Sequence, residues 1–125
     1  MAGKVNIEST IQTQLVLWIK QTYPEVRIKY NKNEDAGSVI KAMQNKRMGR
    51  AEAGFPDLTL EVDKYNWTWI LELELKKKKG VLSAVQKAWW AKFTPTKNKA
   101  GCVAYGFLEA QSAVTSWLLS VSLQK

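Results

Sequence analysis

A chain of 125 residues, 46% hydrophobic and with six Trp, has the length of one domain and enough apolar side chains to bury a core, which argues against a disordered segment. Its single Cys cannot close an internal disulfide. The absence of His excludes a zinc site of the usual ligand types as well as Ser-His and Cys-His nucleophilic catalysis. Lys and Arg outnumber Asp and Glu by 19 to 11, and the net charge of +8 suits a polyanionic partner without identifying one.

The pattern predicts eight elements in one domain over residues 1–125, in the order α-β-α-β-β-α-β-α, with no repeat or linker. Residues 7–22 carry Ile7, Ile11, Leu15, Trp18 and Ile19 at helical spacing, with Pro24 beyond the end. Val26 to Tyr30 alternates as a short strand. Residues 35–47 suit a second helix with Val39, Ile40 and Met43 on its apolar side, followed by a loop from Gly49 to Gly54. Two strands come next, Leu58 to Val62 and Trp67 to Leu75. Ser83 opens a helix with Gln86 three residues on, a capping box, and Trp89, Trp90 and Phe93 follow in it. Pro95 breaks that helix, Gly101 to Phe107 reads as a strand holding Cys102 as a small core residue, and Ala110 to Val121 marks a last helix. No apolar run is long enough to span a membrane and no signal peptide is visible, so the expected location is the cytoplasm.

The two central strands contain the chemistry. Side chains on a strand alternate between faces. The first strand places Asp57, Thr59, Glu61 and Asp63 on its polar face, and the second places Thr68, Ile70, Glu72, Glu74 and Lys76 there. A tight turn at Tyr65-Asn66 makes them antiparallel, and matching their apolar faces fixes the register. Leu58 then pairs with Leu73, Leu60 with Leu71, Val62 with Trp69, and Asp57 with Glu74. Opposed residues have Cβ atoms roughly 4.5–5.5 Å apart. Two carboxylates at that separation repel unless a proton or cation lies between them. The pattern admits a solvated charged face with salt bridges, or a site for a hard divalent cation beside Lys76. Ile70, the apolar break in the polar face, indicates that a helix covers part of it. Trp89 and Trp90 are roughly 100° apart on a helix and cannot share one core direction. That leaves core packing, a dimer interface or base stacking as their uses.

Gly54-Phe55-Pro56-Asp57-Leu58, then Glu74-Leu75-Lys76, Gly80, Leu82-Ser83 and Gln86, together resemble the VRR-NUC family of PD-(D/E)XK nucleases in its short stand-alone phage or bacterial form. The resemblance runs from about Glu8 to the last helix. It implies a small mixed sheet flanked by helices, with Asp57, Glu74 and the Leu75 backbone carbonyl as ligands to Mg²⁺ or Mn²⁺. It also implies Lys76 as the catalytic lysine, Gln86 as its supporting residue, and Glu8 as a further acid near the metal. Asn31 is a candidate on the same ground, and Glu72 an additional acid close by. Lys77, Lys78, Lys79, Lys87 and Arg50, with Arg47, Lys97 and Lys99, would track a phosphate backbone. The activity implied is a structure-specific DNA endonuclease leaving 5′-phosphates, acting as a homodimer on four-way junctions. Flap or nick cleavage would use the same residues. A non-catalytic DNA-binding module on the same fold would keep the basic face but lose an acid or the lysine, and a basic RNA-binding domain would show exposed aromatics on a sheet and no paired acids.

Overall fold

The computed structural model describes residues 7–31 and 54–124. In chain order its elements are α1 (Ile7–Thr22), β1 (Arg27–Tyr30), β2 (Leu58–Lys64), β3 (Trp67–Lys76), α2 (Ala84–Lys92), β4 (Lys99–Tyr105) and α3 (Phe107–Ser122). The helix expected at residues 35–47, the loop up to residue 53, and Arg47 and Arg50 with them, lie outside the described residues.

The strands form one mixed sheet in the order β1-β2-β3-β4. β1, β2 and β3 run antiparallel to their neighbours, and β4 joins β3 in parallel. A parallel neighbour requires a crossover, and α2 lies within it. Tyr65 and Asn66 both have positive φ, 56° and 63°, as a two-residue turn matched to the right-handed twist of a hairpin requires. The turn sets the register deduced from the apolar alternation: Leu58 faces Leu73, Leu60 faces Leu71 and Val62 faces Trp69.

That alternation gives the hairpin one fully apolar face. Leu58, Leu60, Leu71, Leu73 and Leu75 are buried there, under Ile11, Leu15 and Ile19 of α1 and Ala110, Val114 and Trp117 of α3. Cys102, opposite Leu73, is half-buried against the same core, and burial pushes its thiol pKa up. The other face carries α2. At Gly101 an added Cβ would lie 2.6 Å from Trp90 Cζ3 and 2.8 Å from Phe93 Cε2, so the helix seats its aromatic side on β4 only because that strand has no side chain there.

Several boundaries differ from the sequence pattern. The last strand is Lys99–Tyr105 rather than 101–107, because Gly106 at φ 99° turns the chain and donates its N–H to the Lys76 carbonyl at 2.8 Å. α3 therefore starts at Phe107. Phe93 is the extended C-cap of α2 rather than a helical residue. Ile7 and Trp67 fall on apolar stripes but at element ends, where they are exposed. No described helix is long and apolar enough to cross a membrane.

Leu73→Ala is expected to lower unfolding free energy by about 2–5 kcal/mol, since Leu73 is fully buried at the centre of the sheet. Leu108→Ala, at an exposed position of α3, is expected to stay within about 0.5 kcal/mol. Equilibrium denaturation with urea checks both.

Candidate active site

On the polar face of the hairpin four side chains lose nearly all contact with water: Thr59, Glu72, Glu74 and Lys76. Glu74 is 1% exposed, and Gln86, reaching in from α2, is 9% exposed. Burying a charge without partners costs several kcal/mol, so each of these groups must find a counterpart. Glu74 Oε2 accepts a hydrogen bond from Gln86 Nε2 at 3.0 Å and has Lys76 Nζ at 4.0 Å. Glu72 accepts a hydrogen bond from the Thr59 hydroxyl, and Lys99 Nζ lies 3.8 Å from its other oxygen.

Gln86 is committed at both ends of its amide. Its Oε1 accepts from the Ser83 N–H at 2.8 Å while the Ser83 hydroxyl accepts from the Gln86 N–H at 3.2 Å, closing the capping box. The same side chain then donates Nε2 to Glu74. The N-terminus of α2 and the buried carboxylate are thus fixed relative to one another through one residue.

Asp57 stands one residue beyond the last β2–β3 ladder pair, Leu58 with Leu73. Its Oδ2 accepts from the Leu75 N–H at 2.8 Å, so the side chain pins Asp57 to the segment between Glu74 and Lys76. The Asp57 carbonyl accepts from the Asn31 N–H at 3.0 Å, and Asn31 Nδ2 donates to Thr59 Oγ1 at 2.7 Å. Asn31 therefore ties the end of β1 to the start of β2. Glu8, on the first turn of α1, reaches the Lys77 N–H at 3.3 Å. Glu8 thus stands beside the backbone that follows Lys76, and among the described residues no three of His, Cys, Asp and Glu form one cluster able to hold a metal.

The donor set nonetheless suits a small hard cation. Asp57 supplies a carboxylate, Glu74 a second, and Leu75, whose N–H Asp57 already holds, a carbonyl on the same short segment. Mg²⁺ and Mn²⁺ take oxygen ligands, and Mg²⁺ keeps several waters, so two carboxylates are a sufficient protein share.

Lys77, Lys78 and Lys79 form an exposed turn directly after Lys76, with Lys79 at φ 65° and the Gly80 N–H donated to the Lys77 carbonyl. Lys87 is exposed on α2 beside Gln86. Lys97 stacks over Trp67, 4.7 Å from its centroid, towards the hairpin turn and away from Lys76. The sequence pattern assigns no role to two participants, Thr59 and Phe55. Thr59 is legible in principle, because the register that pairs Leu58 with Leu73 also pairs Thr59 with Glu72. Phe55 meets Trp89 only through tertiary packing.

Desolvation raises the Glu72 pKa above the ordinary glutamate value, with the Thr59 hydrogen bond and the Lys99 charge acting in the opposite sense. An acid whose folded pKa is raised lends stability below its unfolded value and loses it as pH rises through the folded one. Glu72→Gln keeps a hydrogen-bond acceptor for Thr59 without the charge. In chelator, the variant is expected to match the native chain near pH ~4 and to become progressively more stable than it towards pH ~8. Parallel denaturation midpoints across that range would contradict this.

Neither a family model nor a curated protein matches this sequence. Among solved structures, one described as a VRR_NUC domain protein superposes with a TM-score of 0.59 at 22% identity, covering 93% of this chain and 91% of that one. The chain thus has the fold of a VRR_NUC domain protein, the family that its Pro56-Asp57, Glu74-Leu75-Lys76 and Gln86 motif resembles.

Proposed function

We propose that this chain is a metal-dependent DNA endonuclease. The observation that supports it best is the buried Glu74–Lys76 pair, held by Gln86 and flanked by Asp57 on the Leu75 N–H. A solvated charged face would not bury an acid to 1% and a lysine to 8% exposure side by side. Asp57, Glu74 and the Leu75 carbonyl would hold Mg²⁺ or Mn²⁺. When bound, such an ion lowers the pKa of water and neutralises phosphate charge.

Lys76 has two uses in phosphodiester hydrolysis. Its ammonium donates hydrogen bonds to the attacking water and orients it towards phosphorus, or it stabilises the negative charge that builds on the phosphate oxygens. Glu74 Oε2 holds the ammonium in place, and Gln86 holds Glu74. Glu8 holds the backbone at Lys77, so the turn of Lys77, Lys78 and Lys79 leaves the site in a fixed direction. These three with Lys87 would contact phosphates without reading sequence. Cleavage proceeds without His and leaves a 5′-phosphate.

For the substrate we take branched DNA, a four-way junction, cut by a homodimer. Two-fold symmetry matches the two equivalent strands such a junction presents. This choice rests on the family resemblance, as does a cytoplasmic setting in a bacterial or phage-infected cell.

Cleavage of a labelled panel (four-way junction, flap, nicked duplex and plain duplex) tests the assignment in Mg²⁺, in Mn²⁺ and in chelator. Asp57→Ala and Lys76→Ala are each expected to lower the cleavage rate by roughly 10²–10³-fold or more while retaining DNA binding. Symmetric paired cuts in the junction support the dimeric reading, and cuts confined to flaps overturn the substrate choice alone. Junction binding with no metal-dependent cleavage of any substrate would make this a binding module.

A further inference from the structure

The C-terminal half of α2 and the start of β4 border an open cavity of about 270 Å³ that the proposed mechanism does not use, lined by Phe55, Trp89, Lys92, Phe93, Thr94 and Lys99. Three of its walls are aromatic. Trp89 and Phe93 stack on one another at 26° with centroids 5.4 Å apart, and Phe55 meets Trp89 edge-on at 5.2 Å. Its charged groups are both cations. Lys92 is exposed, and Lys99 spans from the Phe93 ring, 5.8 Å from its centroid, to Glu72. A cavity of similar size between Tyr23, Val62 and Leu118 carries charges of both signs, Glu25, Asp63 and Lys64, and has no cluster of aromatic rings.

The cavity adjoins the proposed site on two sides. Phe55 precedes Asp57 by two residues. Trp89 follows Gln86 by three, on the same side of α2, and Phe93 follows it by seven. At 1.5 Å per residue these positions lie roughly 4.5 and 10 Å along the helix from the residue that holds Glu74. That is about one to three base steps of roughly 3.4 Å. Volume, too, is informative: the space lies just below the roughly 300–1,000 Å³ of pockets for drug-sized ligands, as suits a single flat ring system.

We propose that this cavity receives an unpaired base of the DNA substrate, stacked against Trp89, Phe93 and Phe55, with the adjoining phosphates on Lys92 and Lys99. The proposal rests on the endonuclease reading and narrows its substrate to DNA that offers an unstacked nucleotide within about three steps of the cut. Aromatic stacking accepts any base, because every base has a π-face, so the pocket selects DNA shape and not sequence.

The test places 2-aminopurine, whose emission falls on stacking, either at an unpaired position beside a branch or within a paired arm. A dye on a distant arm reports binding by anisotropy. The native chain is measured in chelator and Lys76→Ala in Mg²⁺, so that cleavage does not intervene. Emission is expected to fall on binding for the unpaired position only. Trp89→Leu should abolish the fall and weaken binding roughly 10- to 100-fold. Lys92→Glu, at an exposed position outside the core, should also weaken binding, and more so at low salt. Binding with unchanged emission, or an equal fall in the native chain and in Trp89→Leu, overturns the pocket and leaves the nuclease reading standing. The stacking signal without metal-dependent cleavage of any DNA overturns the nuclease reading and leaves the pocket. No binding to any DNA overturns both.

Discussion

The register between β2 and β3 is the constraint on which the other features depend. In a strand pair, a slip of one residue moves every side chain to the opposite face. Here it would bring Leu58 and Leu60 onto the side of Glu72 and Glu74, and neither the core nor the polar cluster would form. The left-handed Tyr65-Asn66 turn and the leucine pairs Leu58–Leu73 and Leu60–Leu71 specify the same alignment independently. Once it is set, Thr59 must face Glu72, and the ladder must end just short of Asp57. Asp57 then stands just past the ladder, at the point where its side chain takes the Leu75 N–H.

The register also creates a buried polar layer, which is costly unless its members satisfy one another. The solution is a set of short chains of donors and acceptors. Asn31 donates to Thr59 and Thr59 to Glu72, with Lys99 beside that acid. Gln86 donates to Glu74, with Lys76 beside it. Each chain draws on a different element, so β1, α2 and β4 are all held to the hairpin by polar contacts on one face, while α1 and α3 are held by apolar contacts on the other. A nearly dry layer also gives the charges within it larger effects than the same groups would have in water.

α2 has a double task in this arrangement. Its first turn, through Gln86, belongs to the acidic site, and its last turn, through Phe93 and the residues after it, belongs to the aromatic cavity. The helix can approach the sheet closely because Gly101 presents no side chain beneath Trp90 and Phe93. The cations are likewise divided. Lys77, Lys78, Lys79 and Lys87 sit around the acidic end, and Lys92 and Lys99 around the cavity.

The sequence determined what strict periodicity and local turn chemistry can determine. Apolar residues at every second position of both strands, with a tight turn between them, left one register open, and Asp57, Glu74 and Lys76 converged from that alone. The Ser83–Gln86 capping box was legible for the same reason, since both of its partners lie within one helical turn. Ile70, an apolar interruption in a charged face, marked the side that a helix would cover. Tertiary structure decided whatever depends on contacts between distant segments or on a single backbone angle. Gly106 turned the chain and moved the last strand two residues earlier. Glu8 was directed to the Lys77 N–H, 69 residues away in the chain. Trp89 and Trp90 could not be assigned by helical phase, because two of their partners, Phe55 and Gly101, come from other parts of the chain. Periodicity reports which way a side chain points relative to its own element, and only the packing of elements reports what it meets there.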